Sequence, residues 1–182
     1  MAAHVCPWRL AYTFDNSLRR LVHDPEKILS PYVKKGMTVL DTGCGMGFFS
    51  TAMARLVGPQ GKVIAVDMQP QMLEVLGRRA DKAGVSGRIV TVCCAQNDLD
   101  VSEKADFALA FYMLHEVPDK ERFFRQVASC LKSQAGFLLV EPRFHVSRPA
   151  FEQTVQAAQK AALVKAGNPR VRFSFAQLFT SP

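Results

Sequence analysis

The chain has 182 residues, of which 48% are hydrophobic and 21% are charged, and its formal net charge is +7. This length suits a single domain over residues 1–182, and the balance of apolar and charged residues excludes a disordered chain. No apolar run approaches a membrane span or a signal peptide, and the five cysteines contain no C-x-x-C pair. We therefore expect a soluble, cytoplasmic protein with no metal site.

The positive charge is compatible with nucleic acid, acidic membranes or anionic substrates as partners. The basic residues are scattered in short pairs, such as Arg19 with Arg20 and Lys34 with Lys35. Scattered pairs are more typical of a solvated surface than of a track that follows a nucleic-acid backbone. The charge pattern therefore favours no nucleic-acid partner.

Hydrophobic periodicity predicts strands that alternate with helices along the chain. The predicted helices cover residues 17–23, 25–33, 47–57, 70–83, 120–132 and 148–161. The predicted strands cover residues 37–41, 62–67, 88–93, 106–114 and 136–141, a weak strand over 162–166, and 171–179. Asp24 and Ser147 are expected to cap the helices that follow them. This alternation predicts an α/β fold with a doubly wound parallel sheet, in which ligands bind beyond the carboxyl ends of the strands.

A glycine-rich segment, V-L-D-T-G-C-G-M-G-F-F-S, spans the first core strand and the turn after it, at residues 39–50. Gly43 and Gly45 allow a ligand to approach the backbone closely, and the N-terminus of the next helix favours an anion. Asp41 ends the strand, where a carboxylate suits a cationic amine. Asp67 ends the second strand, where an acid can accept two hydrogen bonds from a ribose diol.

The spacing of the glycines separates three kinds of ligand site. A dinucleotide fingerprint would read G-x-G-x-x-G, whereas this loop reads G-x-G-x-G and follows Asp41, a carboxylate that would repel a pyrophosphate. A phosphate-binding P-loop is excluded because no G-K-[ST] follows. A ligand with a ribose, an ammonium and a carboxylate fits these features, and an NAD-dependent oxidoreductase is the second interpretation by fold.

Four segments, taken together, carry a family resemblance. They are V-L-D-T-G-C-G-M-G-F-F-S (39–50), V-I-A-V-D-M-Q-P-Q-M-L (63–73), A-D-F-A-L-A-F-Y-M-L-H-E-V-P-D (105–119) and G-F-L-L-V-E-P (136–142). In order and spacing they resemble class I S-adenosylmethionine-dependent methyltransferases, in particular the small bacterial and archaeal members of the ubiquinone/menaquinone-biosynthesis type. The resemblance covers about residues 25–180. It implies S-adenosylmethionine as the cofactor and a Rossmann-like, seven-stranded, mostly parallel sheet with an antiparallel last strand.

The resemblance also implies which residues contact the cofactor. Asp41, Gly43 and Gly45 would meet its methionine portion, Asp67 would hold the ribose hydroxyls, and Met68 would pack on the adenine. The segment after the third strand usually supplies a side chain to the adenine amino group, but here it lacks the D-A-x-x-L-P pattern of the family. The candidates in that segment are Gln96, Asn97 and Asp98.

Residues that follow the fourth and fifth strands are the candidates for chemistry on the acceptor. His115 can act as a general base, since its reference pKa is about 6.5, but a helix cap or a packed wall explains it equally well. Glu116, Tyr112 and Glu141 are expected to face the same crevice, and His145 lies on the loop near the expected substrate mouth. No dominant nucleophile or acid–base pair is evident, which suits a reaction driven chiefly by proximity.

The leading interpretation is methyl transfer to a small-molecule acceptor by in-line displacement. The end of the fourth strand lacks the N-P-P-Y or D-P-P-Y pattern that the resemblance would require for adenine or glutamine amino groups. An RNA acceptor and a non-catalytic module that binds S-adenosylmethionine for a partner protein are the alternatives. Residues 1–24 are predicted as a lid over the cofactor, with a packed tail or a dimer arm, which would imply a homodimer, as the alternatives. Residues 25–182 are predicted as the cofactor-binding fold.

Overall fold

The computed structural model describes residues 22–182, which form alternating strands and helices. The strands are β1 (Thr38–Thr42), β2 (Lys62–Asp67), β3 (Ile89–Cys93), β4 (Ala105–Phe111), β5 (Leu131–Pro142), β6 (Val164–Gly167) and β7 (Ser174–Thr180). The helices are α1 (Pro25–Leu29), α2 (Ser50–Val57), α3 (Pro70–Lys82), α4 (Lys120–Cys130) and α5 (Arg148–Lys160). Short 3-10 turns at Ser86–Arg88 and Leu114–Glu116 precede β3 and α4.

Within residues 22–182 the seven strands form one sheet in the order β3-β2-β1-β4-β5-β7-β6. The pairs from β3 to β5 are parallel, whereas β7 is antiparallel to both β5 and β6. The predicted doubly wound sheet with an antiparallel last strand is therefore confirmed. The strand order reverses between β1 and β4, and the carboxyl ends of strands at such a switch point are where ligands bind.

Helices cover both faces of the sheet, so the central strands are apolar on both sides. On one face Phe124 of α4 and Phe151 of α5 pack against the sheet. On the other face Met53 of α2 and Leu76 of α3 fill the equivalent layer. The two layers hold the sheet rigid, which fixes the positions of the strand ends that carry polar residues.

Side-chain caps begin two of the helices as the sequence predicts. Asp24 accepts hydrogen bonds from the N–H groups of Glu26 and Lys27 at the start of α1, and Ser147 accepts one from Ala150 at the start of α5. The predicted helix over 17–23 falls largely outside the described residues, as does the predicted lid or arm over 1–24. Among the helices of residues 22–182, none combines the length and the apolar character needed to cross a bilayer.

Several predicted element ends were wrong. The helix predicted over 47–57 begins at Ser50, because the residues before it form the turns of the glycine loop. The strand predicted over 106–114 ends at Phe111, because Tyr112 has a φ of 61° and breaks the extended backbone. β5 begins at Leu131 rather than at residue 136, because Leu131 pairs with Ala105 before a register shift. β7 runs over Ser174–Thr180 rather than 171–179.

Candidate functional site

The glycine loop crosses the carboxyl end of β1 and is tied to β2. The N–H group of Cys44 donates to the carbonyl oxygen of Val66 at 2.9 Å, and that of Gly47 donates back to Cys44 at 3.0 Å. Gly45 and Gly47 have φ values of 52° and 81°, in the left-handed region that disfavours residues with a Cβ. The loop therefore depends on glycine for its shape.

Gly45 and Gly47 have different surroundings. A Cβ built on Gly47 would lie 2.7 Å from Cγ of Leu76, so the loop packs directly onto α3. A Cβ built on Gly45 meets no protein atom within 4 Å. Since Gly45 lines a cavity, its missing side chain keeps that space open beside the backbone.

Asp67 joins the end of β2 to the glycine loop. Its Oδ2 accepts a hydrogen bond from the N–H of Gly45 at 2.9 Å, and its Oδ1 accepts one from the N–H of Gln69 at 2.9 Å. Burial raises the pKa of Asp67, and the hydrogen bonds from the backbone N–H groups oppose that rise without cancelling it. A carboxylate oxygen can accept more than one hydrogen bond, so both oxygens of Asp67 can also accept from the two hydroxyls of a diol.

Asp41 occupies a different position from Asp67. It is only 2% exposed, and its Oδ2 accepts a hydrogen bond of 2.5 Å from the Ser50 hydroxyl. This bond ties the end of β1 to the first residue of α2, under the glycine loop. Asp41 is not one of the residues that line the cavity described below. Its predicted contact with a ligand amine stays a prediction.

A cavity of about 200 Å³ opens beside the loop, at the carboxyl ends of β1, β2 and β4. Seven of the eight predicted cofactor contacts line it: Gly43, Gly45, Asp67, Met68, Gln96, Asn97 and Asp98. The eighth predicted contact, Asp41, lies behind them. The structure therefore brings the predicted contacts of three separate sequence segments to one cavity.

Residues of α4 complete the cavity wall and were missed by the sequence analysis. Gln126 is the clearest case, because its Nε2 donates to the carbonyl oxygen of Asn97 at 2.9 Å and its Oε1 accepts from the N–H of Leu99 at 3.3 Å. Arg122 and Phe123 line the same side. No local pattern marks these residues, since only the packing of α4 brings them beside the segment that follows β3.

The residues predicted to act on the methyl acceptor lie at the carboxyl ends of β4 and β5, a region called here the acceptor side. In this region His115 forms a pair with Glu141. The ring Nδ1–H of His115 donates to Oε2 of Glu141 at 2.8 Å, and Oε1 of Glu141 accepts from the N–H of Leu114 at 3.1 Å. The Glu141 side chain is 3% exposed. A buried carboxylate with two donors is a fixed group, so it sets the orientation and the tautomer of the His115 ring.

The charges around His115 determine its protonation. Burial lowers the pKa of His115, but the hydrogen bond and charge of Glu141, with the charge of Glu116, outweigh burial and leave the pKa raised. The Nε2 atom lies 3.8 Å from Oε1 of Glu116. Glu116 lines the cavity and His115 does not, so His115 stands one side chain behind the cavity wall.

Tyr112 lines the cavity from the end of β4 in a conformation that costs free energy. An aromatic residue with a φ of 61° is strained by about 1–3 kcal/mol, and such strain clusters at functional sites. Its hydroxyl donates to Ser174 Oγ at 2.6 Å, since Ser174 in turn donates to the carbonyl oxygen of Arg172 at 3.0 Å. The hydroxyl of Tyr112 is therefore fixed by β7.

His145 lies on the exposed loop after β5 and contacts His115 edge to face, with ring centroids 4.7 Å apart. The four predicted acceptor-side residues thus gather at the carboxyl ends of β4 and β5. Tyr112 and Glu116 line the cavity, whereas the edge-to-face pair of His115 and His145 lies beside it. Over residues 22–182, no three or more histidine, cysteine or acidic side chains are arranged to hold a metal ion.

Comparison with known proteins gives a family match over most of the chain. Residues 33–173 match the family model described as "Methyltransferase domain". The ubiquinone/menaquinone biosynthesis C-methyltransferase of Haemophilus ducreyi is 31% identical over 125 residues, which is 68% of this chain and 47% of that protein. The enzyme of the same name from Pasteurella multocida is 33% identical over 110 residues, 60% of this chain and 41% of that protein.

The chain thus spans less than half the length of these two relatives. Among solved structures, a SAM-dependent methyltransferase from Aquifex aeolicus has the same fold, with a TM-score of 0.88 at 22% sequence identity. The match covers 98% of this chain and all of that one. The likeness extends through the whole described sheet, including the antiparallel β7.

Proposed function

The chain belongs to the methyltransferase domain family, with S-adenosylmethionine as its cofactor, and we propose that it transfers the methyl group to a small-molecule acceptor. The observation that carries the proposal is the 2.9 Å hydrogen bond between Gly45 and Asp67 at the edge of the cavity. This bond puts a backbone made accessible by glycine next to a carboxylate that suits a ribose.

The residues of the cavity fit the parts of this cofactor. We assign the ribose hydroxyls to the Asp67 carboxylate and the methionine end to the backbone around Gly43 and Gly45. Met68 offers a polarisable side chain to the adenine, and Gln126 holds the neighbouring segment in place through Asn97. The bound cofactor supplies a methyl group on a positively charged sulfur, which is a strong electrophile.

The described residues position the acceptor and take up a proton. We propose that His115 accepts the proton that the acceptor loses, through its Nε2 atom, since its Nδ1 is bonded to Glu141. Glu141 then stabilises the positively charged ring, in the way a buried carboxylate supports a histidine base. Tyr112 and Glu116 line the cavity beside His115, where they orient the acceptor toward its Nε2 atom.

Phenols and quinols are the acceptors that we propose first. The relatives named above are C-methyltransferases of ubiquinone/menaquinone biosynthesis, and carbon methylation of an electron-rich ring releases a proton that a base must take. A base with a raised pKa beside the cavity suits this need. Holding the two reactants in line supplies the remaining acceleration.

A methyl-transfer screen tests the proposal. The chain is incubated with S-adenosylmethionine and, in separate reactions, with quinols, phenols, thiols, amines and a single-stranded RNA, and S-adenosylhomocysteine formation is measured. We expect turnover with at least one small-molecule class and none with RNA. Turnover with RNA alone would show that the acceptor is RNA and not a small molecule. Cofactor binding without turnover on any acceptor would favour the non-catalytic module.

Two finer expectations are also proposals. We propose a cytoplasmic location, which fractionation of the source cells tests. We propose that residues 1–24 act as a lid over the cofactor or as the arm of a homodimer. Light scattering of the purified chain, with and without residues 1–21, tests the dimer, and a monomer under both conditions would remove it.

A further inference from the structure

A second, larger groove lies on the other side of the acceptor residues. Its volume is about 1030 Å³, and it is bounded by α5, the segment between β6 and β7, and the first residues of β7. Its lining contains one carboxylate, Glu152, and five cationic side chains: Arg143, Arg148, Lys165, Arg170 and Arg172. This concentration of positive charge contrasts with the scattered pairs elsewhere in the sequence.

Arg143 is held in place by three contacts with the first residues of β7 and the residue before that strand. Its backbone N–H donates to the carbonyl oxygen of Phe173 at 3.0 Å, and its Nε donates to that of Ser174 at 2.8 Å. Its guanidinium lies 5.0 Å from the centroid of the Phe175 ring. These contacts use one edge of the guanidinium, and the planar fork that remains matches the geometry of a carboxylate or phosphate.

Arg148 brings a second guanidinium to the same ring. Its guanidinium carbon also lies 5.0 Å from the centroid of Phe175. Its Nη1 atom is 4.0 Å from Oε1 of Glu152, a long contact between two exposed side chains. Arg148 is the first residue of α5, so the positive end of the helix dipole adds to its charge. Two cations gathered on one ring repel each other, and a bound anion would relieve that repulsion.

The groove is connected to the acceptor side through Ser174. This residue lines the groove, and its Oγ accepts the hydrogen bond from Tyr112, which lines the cofactor cavity. Two large apolar rings are exposed at the same edge of the sheet, Phe144 at 76% and Phe173 at 58%. An acceptor that reaches from the cavity to the groove would therefore meet aromatic surface first and positive charge beyond it.

We propose that this groove binds an oxyanion of the methyl acceptor, a carboxylate or a phosphate, while the apolar part of the acceptor contacts Phe144 and Phe173. The inference rests on the proposed methyl transfer and names the substrate class: a small aromatic acid or phosphate ester. The volume is at the upper end of small-molecule pockets, which span about 300–1,000 Å³. The five cations surround one groove rather than forming a stripe, which favours a small anion over a nucleic-acid strand.

Direct titration of the full chain, with and without S-adenosylhomocysteine, tests the inference. The probes are phenol, 4-hydroxybenzoate, phenyl phosphate and a single-stranded RNA of about 20 nucleotides, at fixed ionic strength, with binding measured by calorimetry. The carboxylate and phosphate probes distinguish the two oxyanion sources. The test variant is Arg143→Gln/Arg148→Gln, and the matched control is Arg78→Gln/Arg125→Gln, which removes the same charge from exposed positions on α3 and α4.

We expect 4-hydroxybenzoate or phenyl phosphate to bind at least about tenfold more tightly than phenol, a difference of one charge-assisted contact. The Arg143→Gln/Arg148→Gln variant should lose that difference, whereas the control pair and the affinity for S-adenosylhomocysteine should stay unchanged. Equal binding of phenol, absence of saturable oxyanion binding, an equal loss in the control, or tighter binding of RNA would overturn the inference. Failure of S-adenosylhomocysteine to bind, with the oxyanion preference intact, would instead count against the proposed methyl transfer alone.

Discussion

The contacts that form the cofactor side of the sheet edge join residues that are close in sequence, whereas those that form the acceptor side join residues that are far apart in sequence. On the cofactor side, Gly45 and Asp67 are 22 residues apart, and both belong to one strand–helix–strand unit. On the acceptor side, Tyr112 and Ser174 are 62 residues apart, and His23 donates to a carbonyl oxygen 149 residues away, that of Arg172. Local motifs thus build the cofactor side, whereas β5 and β7 must be in place before the acceptor side exists.

The largest effect is expected on the acceptor side, from His115→Ala. If His115 accepts the proton of the acceptor, kcat/KM should fall by about 10²–10⁴-fold, the usual contribution of a general base. The affinity for S-adenosylhomocysteine should not change, because His115 does not line the cofactor cavity. Steady-state kinetics and calorimetry on the same preparation measure both quantities.

His145→Ala is the matched control, and we expect it to lose less than about tenfold, since the His145 ring is exposed on its loop. Equal losses in the two variants would indicate that the edge-to-face ring pair acts as a packing unit and that neither ring acts as a base. Unchanged turnover in His115→Ala would remove this residue from the chemistry.

Glycine substitutions address the rigidity of the cofactor side. Gly47→Ala should lower the free energy of unfolding by about 2–4 kcal/mol, because it combines a left-handed φ with a collision against Leu76. Gly45→Ala should cost only about 1–2 kcal/mol, since its Cβ meets no protein atom, but that methyl group would project into the cofactor cavity. Urea denaturation measures the two costs, and equal values would contradict the packing described for Gly47.

Asp67→Asn sharpens the assignment of the ribose contact. Replacing the carboxylate with an amide removes a charge-assisted hydrogen bond worth about 1.5–3 kcal/mol, so S-adenosylhomocysteine should bind about 10–100-fold more weakly. Asp81→Asn, on the exposed end of α3, is the control and should leave the affinity unchanged. Calorimetric titration checks both, and an unaltered affinity in Asp67→Asn would show that the carboxylate holds the loop without touching the cofactor.

Glu141→Gln should produce the most specific change, a displaced pH profile. Glu141 raises the pKa of His115, so its neutralisation should lower that pKa. The base works when neutral, so the acidic limb of kcat/KM should move to lower pH. If the amide oxygen still accepts from Leu114, the amide NH2 faces Nδ1 and favours the Nε2–H tautomer, so the plateau of kcat/KM should fall as well. A limb that stays in place, or one that moves to higher pH, would contradict the pairing of His115 with Glu141.

This difference in the sequence separation of contacting residues explains which parts of the site the sequence could predict. Gly43, Gly45 and Asp67 follow a spacing that one supersecondary unit dictates, so the pattern alone predicted them at the cavity. Asp41 fits the same pattern, but the structure turns its carboxylate toward Ser50 behind the loop. A motif therefore predicts which strand end carries a residue better than it predicts where the side chain points.

The acceptor side was predictable only as a set of candidates. No sequence pattern pairs His115 with Glu141, because the contact depends on the parallel register of β4 with β5. Gln126 and the basic groove were missed for the same reason, since helix packing and the return of β7 bring their partners together. The early end of β4 also escaped prediction, because the apolar pattern continues past the point where Tyr112 takes a left-handed backbone conformation.

Equilibrium titration of the chain with S-adenosylhomocysteine, and separately with NADH, decides whether the cavity is an S-adenosylmethionine site. The two ligands distinguish the G-x-G-x-G loop with its carboxylates from a dinucleotide site. We expect saturable binding of S-adenosylhomocysteine that Asp67→Asn weakens, and no binding of NADH under the same conditions. Binding of NADH with none of S-adenosylhomocysteine would contradict this expectation.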